Sequence, residues 1–424
     1  TTPSRSQSRT SGASVLVTVH NPATLVSVPR FEPFRAHRFS LASPDDVADL
    51  TSPPYDVFDE STRDGIAASH PHNIVHVDYP VERDGADRYA SCSRTLEKWV
   101  ADGTVILDGT PTFSLYRMLF TDESGKRRET VGVIGALEVV DEGAGGVLPH
   151  ERTTPKAKTD RLDLTRATGC NLSPVWGLSL TAGLSSLLSE PAEIVAHVVD
   201  TDGVEHTLER VTDRARIDAI SRAVSSHPVL IADGHHRYAI SRTYRDERRA
   251  AGNSVGAELT MTYVAELVQE QLSIAAIHRL ITGHSAAGVL ERIGAFYDTK
   301  PAGVVNHSTI LSMEAEGALC IIDESGNGTY LIPRETAFTG IRNLDSARLE
   351  HALGDMIGSV TYQHGVGEVL GRIKAGEATC AILIRPVSLE EIRRTADTGE
   401  LMPPKSTFFT PKLLTGMVWR PVDA

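Results

Sequence analysis

The stretch "VLIADGHHRYAISRTY", residues 229 to 244, constrains the fold more than any other part of the chain. "VLIAD" is a continuous apolar run ending on a carboxylate, and it reads as a buried strand. Gly234 then permits a tight turn, and the residues after it continue as a helix toward Gly252. A helix N-terminus offers unpaired N–H groups and a partial positive charge, so an anion placed there is stabilised. His235, His236 and Arg237 add donors and cationic charge at that end, and Asp233 adds a carboxylate. The combination suits phosphate binding beside a metal or a base. An ordinary strand-turn-helix with solvated histidines would carry the same letters. Zinc is not expected, because adjacent histidines cannot easily share one ion and no further ligands accompany them.

Strand and helix patterns mix along the rest of the chain. "TFSLYRMLF", the polar turn "TDESGKRR" and "TVGVIGALEVV" predict a β-hairpin, and "LTMTYVAEL" and "LSIAAIHRLI" predict further strands. "HPHNIVHVDYP" reads as a buried strand. "DRYASCSRTLEKWVADG" reads as a helix with Tyr89, Leu96, Trp99 and Val100 near helical spacing and Gly103 as terminator. Thr153 or Thr154 can cap a helix with Pro155 in its first turn, ended by Gly169. Residues 176 to 228 supply strands and one helix. The last third alternates helix-like "HSAAGVLERIGAF" with strands such as "GALCIIDE" and "CAILIRPV", an α+β or α/β signature.

At 424 residues the chain is too long for one ordinary core. A net charge of −13 argues against nucleic acid or an acidic membrane surface as partner, since both are held by basic clusters. Cys92, Cys170, Cys320 and Cys380 lie far apart with no CxxC pair, which fits a reduced, cytoplasmic protein. Residues 1 to 20 lack the apolar core of a signal peptide and read as a frayed tail. No apolar run reaches the roughly 18 residues that span a bilayer.

Two further stretches carry chemistry. In "LPHERTT", His150, Glu151 and Arg152 precede a helix bearing Lys156, Lys158, Asp160 and Arg161. A carboxylate among cations can stay ionised and serve as a general base while the cations neutralise phosphoryl oxygens. In "LMPPKSTFFTPKL", two prolines hold the backbone extended before Lys405, Ser406 and Thr407, which suit a phosphate or carboxylate.

Taken in order, "PHE" at 149–151, "DGHHR" at 233–237 and "PKST" at 404–407 resemble the free L-serine kinases of archaea, whose catalytic domain has the ParB and sulfiredoxin type of fold. The run "AGEATCAILIRPVSLEEIRRTADTGELMPPKST" is also similar to the C-terminal segment of those kinases. From "PPYDV" through "LPHERT", "DRL", "ADGHHRY", "HRL" and "KSTFFTPKL", the chain resembles a widespread bacterial and archaeal family of uncharacterised proteins.

The kinase resemblance implies a mixed α+β (α/β) fold. Its ParB/sulfiredoxin-like core would span residues 111–285, after a disordered tail (1–30) and an N-terminal α/β region (31–110). A C-terminal α/β domain (286–424) would contribute the substrate loop. The activity implied is phosphoryl transfer to the hydroxyl of a free amino acid, L-serine giving O-phospho-L-serine, with Mg²⁺ and with ADP, ATP or pyrophosphate as donor. Carried over by motif, Glu151 and Asp233 are the catalytic carboxylates, with Glu151 the leading general base and Asp233 holding Mg²⁺ or sharing the base role. Gly234, His235, His236 and Arg237, with His150 and Arg152, hold the donor phosphates. Lys405, Ser406 and Thr407, with His278 and Arg279, hold the amino acid.

Departures from the kinase pattern bear on the acceptor. Phe408 and Phe409 stand where those kinases have arginine and histidine, and the interval between Glu151 and Asp233 is longer here. No Walker motif is present, which excludes a P-loop kinase. A non-catalytic nucleotide-binding regulator of ParB-like fold is the alternative. Sulfiredoxin-type reduction needs a reactive cysteine where this chain has His235.

Overall fold

The computed structural model describes residues 17–18, 25–26, 28–122, 125–152 and 158–424. Its apolar runs pair into one nine-stranded mixed sheet. The strands are β1 (Phe31–Glu32), β2 (Phe113–Thr121), β3 (Arg127–Glu138), β4 (Val147–Pro149), β5 (Val175–Ser179), β6 (Glu193–Val199), β7 (Glu205–Val211), β8 (Val229–Asp233) and β9 (Leu259–Glu266). They lie in the order β6-β7-β2-β3-β9-β5-β8-β4, with β1 beside β3. The β5–β9 and β8–β4 pairs are parallel and the rest antiparallel.

Both faces of this sheet are covered, which is why β8 is apolar at successive positions rather than at every second one. Val229 and Ile231 pack with Leu184, Leu188, Ile217 and Ile220 from two helices on one face. Leu230 and Ala232 join the opposite core, which contains Cys92, Leu96 and Trp99 of the helix α1 (Arg88–Ala101) and much of the C-terminal segment from Met402 to Trp419.

A second, wholly antiparallel sheet follows: β10 (Ile277–Ile281), β11 (Tyr297–Val304), β12 (Leu319–Ile322), β13 (Asn327–Pro333), β14 (Val360–His364) and β15 (Cys380–Leu383), ordered β11-β13-β12-β15-β10-β14. After β15 the chain returns to the core on one face of the first sheet and pairs with segments that flank it. Met402 bridges Glu151, Phe408–Phe409 pairs with Ile274–Ala275, Thr415 bridges Ser52, Trp419 bridges His37, and Arg420–Pro421 pairs with Cys170–Asn171.

Several expectations need correction. "HPHNIVHVDYP" holds a short helix, Val75–Asp78, not a strand. Asn73 sets it: its Oδ1 accepts the Val75 N–H at 2.9 Å and its Nδ2 donates to the Asp49 and Thr51 carbonyls. Residues 176–228 contain two helices rather than one, Leu184–Leu188 and Arg214–Val224. Val100 ends α1 exposed, and Cys92 takes its place on the buried face. The hairpin forms as expected, Thr121 opposite Arg127. The proposed cap at Thr153 or Thr154, with Pro155 and Lys156, lies outside the described residues, as does most of the N-terminal tail. The helix that follows is α2 (Lys158–Thr168), and Gly169 after it has φ 60°. All four cysteines are free and buried. Among the described residues no helix is long and apolar enough to cross a membrane.

Candidate active site

Parallel pairing of β8 with β4 sets Ile231 opposite Pro149, so the ends of the two strands deliver Asp233 and Glu151 side by side. Beyond Asp233 the chain turns through Gly234, φ 80°, into the helix α3 (His235–Ala250). That left-handed turn is why glycine stands there; a Cβ at Gly234 would also come within 3.0 Å of Arg237 Nε. The third wall comes from the returning chain: Met402 N–H donates to the His150 carbonyl and Arg152 N–H to the Met402 carbonyl, both at 3.0 Å. Lys405 sits at the bend with φ 59°, the one positive φ outside glycine among the described residues. Such strain is a feature of functional loops.

The cleft so formed, about 560 Å³ including its open mouth, is lined by Tyr55, Asp56, Glu151, Arg152, the run Asp233 to Arg237, Pro404 and Lys405. Asp233 Oδ2 accepts from Arg237 Nη2 at 3.1 Å and from Lys412 Nζ at 3.2 Å. Burial alone would raise the Asp233 carboxyl, but Lys412 and Arg237 outweigh it and hold the group well below the usual carboxylate range. Glu151 goes the other way: burial pushes it up to about 7, against the pull of the Ser406 N–H, 3.2 Å from its Oε2, and of Lys405. Two neighbouring carboxyls thus titrate far apart, the arrangement that separates a base from a permanent anion.

Two histidines close the floor. His150 is 1 % exposed; its Nδ1–H donates to the Ile231 carbonyl at 2.5 Å and its Nε2 accepts the Thr407 hydroxyl at 2.6 Å. A carbonyl oxygen only accepts, so Nδ1 carries the proton. Burial lowers His150 to about 4 and His235, its ring 4.7 Å away, to about 3. Both are neutral and shape the cleft rather than supply positive charge.

Of the residues expected at the site, Glu151, Arg152, Asp233, Gly234, His235, His236, Arg237 and Lys405 line the cleft. His150, Ser406 and Thr407 lie behind it. Ser406, 1 % exposed, bonds the Pro403 carbonyl and Ser346 Oγ. Arg279 is buried beneath the loop, its Nη1 donating to the Lys405 carbonyl at 3.2 Å, its guanidinium over the Tyr362 ring. His278 is not brought to the site: it is buried in the second sheet, where its Nδ1 accepts the Ile384 N–H at 3.3 Å. Phe409 is core, beside Trp176 and His150, and Phe408 stacks on His364 with Lys412 Nζ over its ring. Tyr55, Asp56 and Lys412 received no role from the sequence.

For a divalent cation the donor set is thin. Among the described residues no group of three His, Cys, Asp or Glu is placed to hold a metal. Mg²⁺, however, takes one or two carboxylates and otherwise waters and substrate phosphates. Asp233 meets that smaller demand.

The chain belongs to the family described as protein of unknown function DUF1015, whose model matches residues 31–347. No curated protein matches the sequence. Similar solved structures include a conserved hypothetical protein from Pyrococcus furiosus, 14% identical, covering 62% of this chain and 87% of that one, TM-score 0.34. A mutant free serine kinase in complex with ADP is 14% identical, covering 62% and 84%, TM-score 0.35. A C-terminally truncated SbnI from Staphylococcus aureus is 13% identical, covering 66% and 85%, TM-score 0.38. Likeness at this level assigns neither activity nor ligand.

Proposed function

We propose that the protein is a small-molecule kinase that moves a phosphoryl group to the hydroxyl of a free amino acid, with L-serine giving O-phospho-L-serine as the leading reaction. The observation that supports this reading is the meeting of three distant stretches in one cleft, with the Glu151 carboxyl pushed up to about 7 beside the N-terminus of α3. The order of those stretches is that of the free serine kinases, and their ParB/sulfiredoxin type of core is the fold we propose for the catalytic part.

Phosphoryl transfer asks for alignment, charge neutralisation and one proton acceptor. The serine oxygen attacks the terminal phosphorus, the bond from that phosphorus to its bridging oxygen breaks, and the serine proton passes to Glu151. The donor leaves one phosphate shorter. Arg237 and the N–H groups at the start of α3 hold its phosphates, and Lys405 steadies the phosphoryl group in transit. Mg²⁺, bound with the donor, would supply further neutralisation of the phosphate oxygens, and Asp233 is the carboxylate that would hold it. ADP, ATP and pyrophosphate all meet these requirements.

The test incubates the purified protein with Mg²⁺, hydroxy amino acids and each donor, with mass spectrometry of the products. The expected result is O-phosphoserine, lost in Glu151→Ala and Asp233→Ala. Absence of any phosphorylated acceptor refutes the proposal, and nucleotide binding without product favours the regulatory alternative.

A further inference from the structure

An amino-acid acceptor brings an ammonium group into the cleft, and two of the three carboxylates there are committed elsewhere. Asp233 is shared between Arg237 and Lys412. Glu151 accepts the Ser406 N–H and is reserved for the hydroxyl proton. Asp56, the third, makes no hydrogen bond or ion pair with any described residue, yet it lines the cleft with Glu151, Arg152 and Lys405.

Its position is built, not incidental. The Pro54 carbonyl accepts the Val57 N–H at 3.1 Å, a β-turn with Tyr55 and Asp56 at its two central positions. Before the turn, Ser52 and Thr415 exchange backbone hydrogen bonds at 3.1 and 2.9 Å, and Asn73 Nδ2 donates to the Thr51 carbonyl at 2.8 Å. At the tip, the Tyr55 ring is covered by the Arg161 guanidinium at 3.9 Å. With Tyr55 fastened, the next side chain is delivered, exposed, to the cleft wall.

We infer that Asp56 binds the ammonium group of the acceptor while Arg152 takes its carboxylate, so that the turn at residues 53–57 selects amino acids over plain hydroxy acids. This rests on the kinase reading above. Asp56 is here a specificity residue that takes no part in moving the proton or the phosphoryl group.

The probe is a pair of acceptors differing only in the ammonium group, L-serine and 3-hydroxypropionate, assayed with Mg²⁺ and the active donor. A charged hydrogen bond of ordinary strength predicts that the wild type prefers serine by roughly 10- to 100-fold in kcat/KM. Asp56→Asn brings that ratio close to one by raising KM for serine, leaves 3-hydroxypropionate and the donor KM where they were, and Asp56→Glu restores part of the preference. An unchanged ratio in Asp56→Asn overturns the inference and spares the kinase reading. A rise in the donor or Mg²⁺ KM instead overturns it by making Asp56 a phosphate or metal residue. If the wild type phosphorylates neither acceptor, the kinase reading fails and this inference with it.

Discussion

Glu151 couples activity and stability in one side chain. It is 18% exposed and rises from 4.5 to about 7 chiefly through burial. As general base it works only when ionised, so kcat/KM is expected to climb about tenfold per pH unit below pH 7 and to level off above it. Ionisation costs more in the folded than in the unfolded chain, so the penalty is absent below about pH 4.5 and complete above about pH 7. Glu151→Gln keeps an acceptor for the Ser406 N–H without the charge. At pH 8 it is expected to stabilise the fold by about 1–3 kcal/mol, while turnover falls on the order of 10²- to 10⁴-fold. Urea denaturation at pH 8 and pH 4.5 checks the first claim, and an equal stability difference at both pH values contradicts it. Little of this was legible in the letters "PHE". They name the carboxylate, but its burial comes from Pro404 and Lys405, some 250 residues downstream.

At the scale of elements, the strand-turn-helix from β8 into α3 was readable because its signals are local: an unbroken apolar run, then a glycine. The strand expected around Val75 forms a helix instead: Ile74, Val75 and Val77, all buried, are too short an apolar run for its spacing to distinguish the two. Only Asn73, through its three side-chain hydrogen bonds, decides it. Lys412 was invisible for a different reason: its contact with Asp233 depends on the C-terminal segment returning to the core on one face of the first sheet. Two bends make the site, and each can be probed. Gly234→Ala places a Cβ against Arg237 at positive φ, and is expected to cost about 1–2 kcal/mol and to weaken donor binding by moving Arg237. Lys405 carries the opposite strain, a side chain where glycine would rest easily. Lys405→Gly and Lys405→Ala both remove the cation and are expected to lose activity alike. The glycine variant, however, should be more stable than the alanine variant by about 1 kcal/mol. Thermal melts that rank alanine above glycine would show that the loop carries no strain.

For the molecule as a whole, the acid limb of stability is set by histidines kept neutral. Burial lowers His37 to about 4, His150 to about 4, His235 to about 3 and His278 to about 3. They are spread widely: His37 sits where the chain end docks at Trp419, His150 and His235 lie under the cleft, and His278 is inside the second sheet. A depressed folded pKa contributes stability above the unfolded value of 6.5 that drains away as pH falls toward 4. The protein is therefore expected to melt at progressively lower temperature from pH 7 to pH 5, with unfolding at pH 5.5 accompanied by net proton uptake. Two substitutions shift that uptake in opposite directions. His278→Gln, which can still accept the Ile384 N–H, removes a group that gains a proton on unfolding, so uptake at pH 5.5 falls by about one proton. Glu151→Gln removes a group that is protonated when folded and ionised when unfolded, so uptake rises by about one. Calorimetric unfolding in two buffers of different ionisation enthalpy measures both. If His278→Gln leaves the uptake unchanged, His278 is charged in the folded protein; if Glu151→Gln leaves it unchanged, Glu151 is already ionised at pH 5.5, which also removes the physical basis for treating Glu151 as a base tuned to neutral pH.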